Sequence, residues 1–155
     1  MESKMNNKIT ESKPHLIQTY VEMSEFITFM PPETINKPWN PTLDFKLQVG
    51  SFDRKNGSAN ATKDNQQIHK IWLTANIDAS LGNEKIFSVK LQQSGLFAID
   101  NDIDKSQLEF ILNTMCTQIL HPYLTTRLSD MVMQAGFPAV YMEPMNFVEK
   151  YELEK

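Results

Sequence analysis

Over Thr42–Phe52, Ile68–Ala79 and again through Phe87, Val89 and Leu91 apolar side chains recur at every second position, and beyond Asp104 they recur at every third and fourth. That change of period constrains the chain more than composition does. A period of two belongs to a strand with one dry face, and a period near four belongs to a helix with an apolar stripe. Leu43, Phe45, Leu47 and Val49 alternate with Asp44, Lys46 and Gln48, and Ile71, Leu73, Ala75 and Ile77 continue the pattern. Phe87, Val89 and Leu91 share one face of a third run, while Ser88, Lys90 and Gln92 share the other. Ala79 to Asn83 supplies a turn between the second and third runs, so these two form an antiparallel hairpin. An earlier strand with a bulge is predicted from His15 to Phe29, and Pro31 with Pro32 ends it, since neither can donate to a ladder.

After Asp104 the chain switches to helix. Ser106 and Glu109 have the spacing of a capping box, and Leu108, Ile111, Leu112, Met115 and Ile119 follow along one stripe. Pro122 is expected to kink that helix or start a new one, and Gly136 to cap it in a left-handed conformation. Asn146 with Glu149 marks a last short helix. Strands followed by helices predict an α+β fold: a four-stranded antiparallel sheet, a long Pro-interrupted helix and a short C-terminal helix. Residues 1–14 read as a disordered arm, and residues 15–155 as a single domain with a flexible, asparagine-rich loop over 51–67.

Several classes of function are excluded by what the chain lacks. A net charge of -4, from 15 basic and 19 acidic residues, argues against a phosphate backbone and so against nucleic acid as a partner. No apolar run reaches the roughly 18 residues of a membrane span, and no signal peptide is evident, so a cytoplasmic protein without membrane insertion is expected. Cys116 and three scattered histidines cannot make a zinc cage, and Asp100 to Asp104 starts like a calcium loop but is followed by Lys105 and Ile111 where Gly and Glu are needed. No metal or cofactor is expected. Cys116 lies on the apolar stripe, where burial would raise its pKa and suppress its nucleophilicity. With no nucleophile elbow, phosphate loop or paired carboxylates, the sequence does not argue for an enzyme. What it holds in excess is soft apolar surface: nine methionines, with Met115, Met131, Met133, Met142 and Met145 near Phe137, Tyr141, Phe147 and Tyr151 in the last third. Polarizable, unbranched side chains repack around differing partners at small cost.

Six short motifs stand in one order: Lys37-Pro38-Trp39-Asn40-Pro41, Ala79-Ser80-Leu81-Gly82, Leu91-Gln92-Gln93-Ser94-Gly95-Leu96-Phe97, Ile119-Leu120-His121-Pro122-Tyr123, Gly136-Phe137-Pro138 and Pro144-Met145-Asn146-Phe147. In that order and approximate spacing the chain from about His15 to Tyr151 resembles SecB, the bacterial protein-export chaperone family. The resemblance implies an ATP-independent holdase that keeps unfolded precursor polypeptides competent for export and delivers them to the SecA motor. It also implies a homotetramer built as a dimer of dimers, with clients held in grooves between the sheet and the helix-connecting loop. By position the client-binding set is Trp39, Leu43, Phe45, Phe87, Val89, Leu91, Tyr123, Phe137, Tyr141, Met142, Phe147 and Tyr151, with Phe87, Val89 and Leu91 as apolar sheet surface. The SecA-facing set is Glu22, Glu25, Asp78 and Lys90. Lys90 and Met30 stand where the family pattern has acids, and Thr125-Thr126 where it has an Arg-Glu pair. Charge reversal at Lys90 weakens the steering of a basic partner, and leaves open a SecB-like chaperone dedicated to one partner, such as an antitoxin, without handoff to SecA.

Overall fold

The computed structural model describes residues 13–53 and 65–154, the side chains of Phe52 and Asp53 excepted. Of the arm expected over 1–14, all but Lys13 and Pro14 lies outside the described residues, as does the middle of the 51–67 loop. The ends of that loop are strand: β2 spans Thr42–Asp53 and β3 Gln66–Leu81. With β1 (His15–Thr28) and β4 (Glu84–Asp100) they form one antiparallel sheet in the order β1-β4-β3-β2. The bulge read into the first strand is there twice, as register shifts at Leu16/Gln18 and Val21/Met23 against β4. β3 and β4 meet across the expected turn.

Period-two patterning sets which face is dry. Ala75 pairs with Leu91, Ile77 with Val89 and Ala79 with Phe87, and all six side chains are buried on the face that carries the helices. Against them lies a helix in three runs: α1 (Lys105–Phe110), a wider π segment (Ile111–Cys116) and α2 (Thr117–Gln134). Cys116, Leu120, Leu124, Leu128 and Val132 recur at every fourth residue and are all buried in the same core. Gly95 lets the helix lie close, because a Cβ there would stand 2.7 Å from the Leu120 side chain.

The helix start differs from the sequence reading. Asp104, not Ser106, is the cap: its Oδ1 accepts from the Gln107 backbone N–H at 2.8 Å, and Gln107 Oε1 accepts from the Asp104 N–H at 3.3 Å. Both pairs have capping-box spacing, and only the extended backbone of Asp104 separates them. In the π segment, Asn113, Thr114 and Thr117 donate to the carbonyls of Glu109, Phe110 and Asn113, supplying partners where the wider turn loosens the ladder. Pro122 neither ends α2 nor starts a new helix; it lies inside it. At the other end Gly136, at φ 92°, donates to Met133 O and Phe137 to Val132 O, which is the left-handed cap expected. A last helix, α3 (Phe147–Glu154), starts at Asn146, whose side chain accepts from the Glu149 N–H at 3.1 Å.

Candidate functional site

β2 is a rim of the sheet, and α3 crosses near it without closing on it. Between them is a cavity of about 460 Å³. Leu47, Gln48 and Val49 of β2 with Trp72 and Thr74 of β3 form the sheet side; Phe147, Lys150, Tyr151 and Glu154 of α3, with Asn113 of the π segment, form the other. The volume is in the range of clefts that hold ligands. Lys150 and Glu154 pair one turn apart along α3. The helix is held by two edge-on aromatic contacts, His121 with Phe147 at 5.4 Å and Phe110 with Tyr151 at 5.9 Å. Burial holds the His121 imidazole below its usual pKa, because the charged ring loses hydration there.

A second aromatic group lies inside the fold. Phe137 stacks on Trp39 at 5.6 Å and packs on Phe87 at 5.0 Å, and Phe87 stacks in turn on Phe26 at 5.1 Å. The client-binding set therefore divides. Phe87, Val89 and Leu91, expected as sheet surface, are each 1% exposed: they point to the face that the helices cover and are core residues. Phe137 and Phe147 are buried as well, the first in the aromatic cluster and the second as the anchor of α3. Trp39, Phe45, Met142 and Tyr151 are half-buried, and Leu43, Tyr123 and Tyr141 are exposed. Only Phe147 and Tyr151 of the set line the cavity.

The outward face of the sheet carries charged and polar groups beside the rings of Tyr20 and Trp72, each 5.7 Å from Lys70 Nζ. Glu22 stands at the β1 bulge, where its carboxylate accepts from Gln92 Nε2 at 2.7 Å, Ser94 Oγ at 2.9 Å and Lys70 Nζ. These bonds, that from Lys70 foremost, hold the Glu22 carboxyl below the usual carboxylate value and raise the Lys70 ammonium. Lys46, Asn76, Lys90 and Glu25 follow one another across all four strands, and Asp44 faces Asp78. So the structure brings Glu22, Glu25, Asp78 and Lys90 to one face.

Residues 8–155 match the family model for preprotein translocase subunit SecB. The chain belongs to the SecB family. Relatives include the protein-export protein SecB of Acinetobacter baylyi, 32% identical over 78% of this chain and 73% of that one, and its counterpart in an Acidovorax species, 30% identical over 79% and 80%. The same fold, at 11% identity and a TM-score of 0.69 over 90% of this chain and 95% of the other, is found in a SecB-like chaperone of Mycobacterium tuberculosis, solved in complex with a peptide from an antitoxin.

For a SecB-family chain, the sequence reading missed much of what surrounds the cavity. Phe110 and His121 had a legible helical spacing but carried no sign that α3 would dock on them. Leu47 and Val49 were read as strand core, and nothing local said that β2 would be a rim. Among the described residues no group of three or more His, Cys, Asp or Glu stands close enough to hold a metal, and no helix is long and apolar enough to cross a membrane.

Proposed function

We propose that this SecB-family chain is an ATP-independent holdase that binds unfolded precursor polypeptides, keeps them export-competent and passes them to SecA. One observation carries the reading: the fold leaves large apolar side chains in water, concentrated toward its C-terminal end. Of the eight such side chains among the described residues, Tyr123, Met133, Tyr141, Val148 and Leu153 lie in the last third; Tyr141 is 90% exposed and Leu153 79%. Apolar surface gains from any non-native segment that covers it, with no need for sequence-specific polar contacts. A homotetramer, a dimer of dimers, belongs to the same proposal, since copies joined through α2 would cover Tyr123 and Met133 and give one client several grooves at high effective concentration.

Handoff to SecA is assigned to the outward acids Glu25 and Asp78. A second reading keeps the holdase groove but serves one partner, such as an antitoxin; Lys90 between Asn76 and Glu25, and Glu22 already bonded to Lys70, favour it. Light scattering from a chemically unfolded test protein, without ATP, should stay near baseline when the chain is in excess. Scattering that rises as fast as in its absence removes the holdase reading. Capture of many precursors from a lysate favours the export role, and capture of one stoichiometric partner the dedicated one.

A further inference from the structure

Above Ser94 the outward face of the sheet holds a slot between two rings. One row runs across all four strands there: Tyr20 of β1, Ser94 of β4, Trp72 of β3 and Gly50 of β2. Residues directly opposite one another share a face, and neighbouring strands lie about 4.8 Å apart, so the rings flank the serine with β4 between them. The Trp72 indole lies down over β2, where a Cβ on Gly50 would stand 2.2 Å from it. Only a glycine permits that tilt, and the tilt carries the ring away from Tyr20.

One cation fills the slot. Lys70, two residues before Trp72 on β3, sets its ammonium 5.7 Å from each ring centroid and against the Glu22 carboxylate. Glu22 belongs to the second β1 bulge, and bulges re-aim side chains. A carboxylate beside two aromatic faces is a set of groups that recognises an organic cation. The Lys70 side chain is 17% exposed and that of Glu22 35%. An ion pair this close to water contributes little net stability, so it opens readily.

We propose that the slot is a docking point for an arginine of a basic partner, and that Lys70 is its plug. This rests on the handoff reading and adds Glu22, Tyr20 and Trp72 to the outward acids Glu25 and Asp78. Arginine suits the slot better than lysine does. A guanidinium is planar and weakly hydrated, so it stacks on a ring while giving two parallel hydrogen bonds to one carboxylate. Lys70 bonds Oε1 of Glu22, and Gln92 and Ser94 donate to Oε2.

The test uses the full chain and a short glycine-serine peptide carrying spaced arginines, beside a copy with uncharged citrulline in their place. A plug lowers apparent affinity by the fraction of time that the slot is free, so Lys70→Gln should bind the arginine peptide about tenfold more tightly than the natural chain. Lys46→Gln removes the same charge from the same face, and salt screening should hold its effect within about twofold. Adding Glu22→Gln to Lys70→Gln should cancel the gain, and the citrulline peptide should show none. In the natural chain the arginine peptide should shift the Trp72 indole N–H resonance. Equal gains from Lys70→Gln and Lys46→Gln mean that only net charge matters, and overturn the inference. So does binding that is lost with Glu25→Gln and Asp78→Asn together yet ignores Glu22; handoff then stands without the slot. Should Lys70→Gln not fold, an unmoved Trp72 resonance in the natural chain overturns the inference. No binding by any form overturns both the slot and handoff, and leaves the holdase reading standing.

Discussion

His121 is half-buried on α2 with its ring edge-on to Phe147, and burial keeps its pKa under the usual value of 6.5. The unfolded chain therefore takes up a proton near pH 6.5 while the folded one resists it, so stability is full above that value and declines as pH falls through it. Denaturant midpoints measured between about pH 7.5 and 5.5 should drop toward the acid end. His121→Phe should flatten that slope, and parallel slopes for the two proteins would exonerate His121. Glu22 acts in a separate window: its depressed pKa lends stability above the usual 4.5 that is lost at more acid pH. Burial of Cys116 pushes its thiol far above the ordinary range, and this much was legible, because the residue sits on an unbroken apolar stripe. The exposure of Phe87, Val89 and Leu91 was not: alternation says that they share a face, but not whether a helix covers it.

At the scale of elements, each end of the long helix is set by a few backbone bonds. Gly136 adopts φ 92°, and a Cβ there would also stand 2.9 Å from Pro32 Cγ. Gly136→Ala should cost about 1–2 kcal/mol for the left-handed backbone alone, read as a lower urea midpoint with an unchanged m-value; an unchanged midpoint would mean that the cap is not needed. Gly136 could be picked out in advance because only glycine enters that region cheaply, and Asn146 because its side chain suits a helix start. The first cap could not. Asp104/Gln107 and Ser106/Glu109 offer the same chemistry two residues apart, and the docking of the helix on the sheet selects between them. Of the two outcomes expected at Pro122, a kink or a new helix, the second did not occur, since tertiary packing of Leu120, Leu124 and Leu128 carries α2 across it.

For the whole molecule, the holdase reading predicts that Tyr141, at 90% exposure, contributes to clients and not to folding. Tyr141→Ser should leave the thermal midpoint within about a degree, as surface changes do, while raising severalfold the amount of chain needed to suppress aggregation; equal suppression would take Tyr141 out of the groove. The α+β class, the antiparallel hairpin, a bulged first strand and the family all followed from the residues in order, because period and turn chemistry are local properties that the chain carries with it; the second bulge did not. What only the folded chain decided is where water remains. Strand order made β2 a rim, and the docking of Phe147 and Tyr151 on His121 and Phe110 held α3 off it. The cavity between them is the result of contacts among residues far apart in sequence, and such contacts have no period to read.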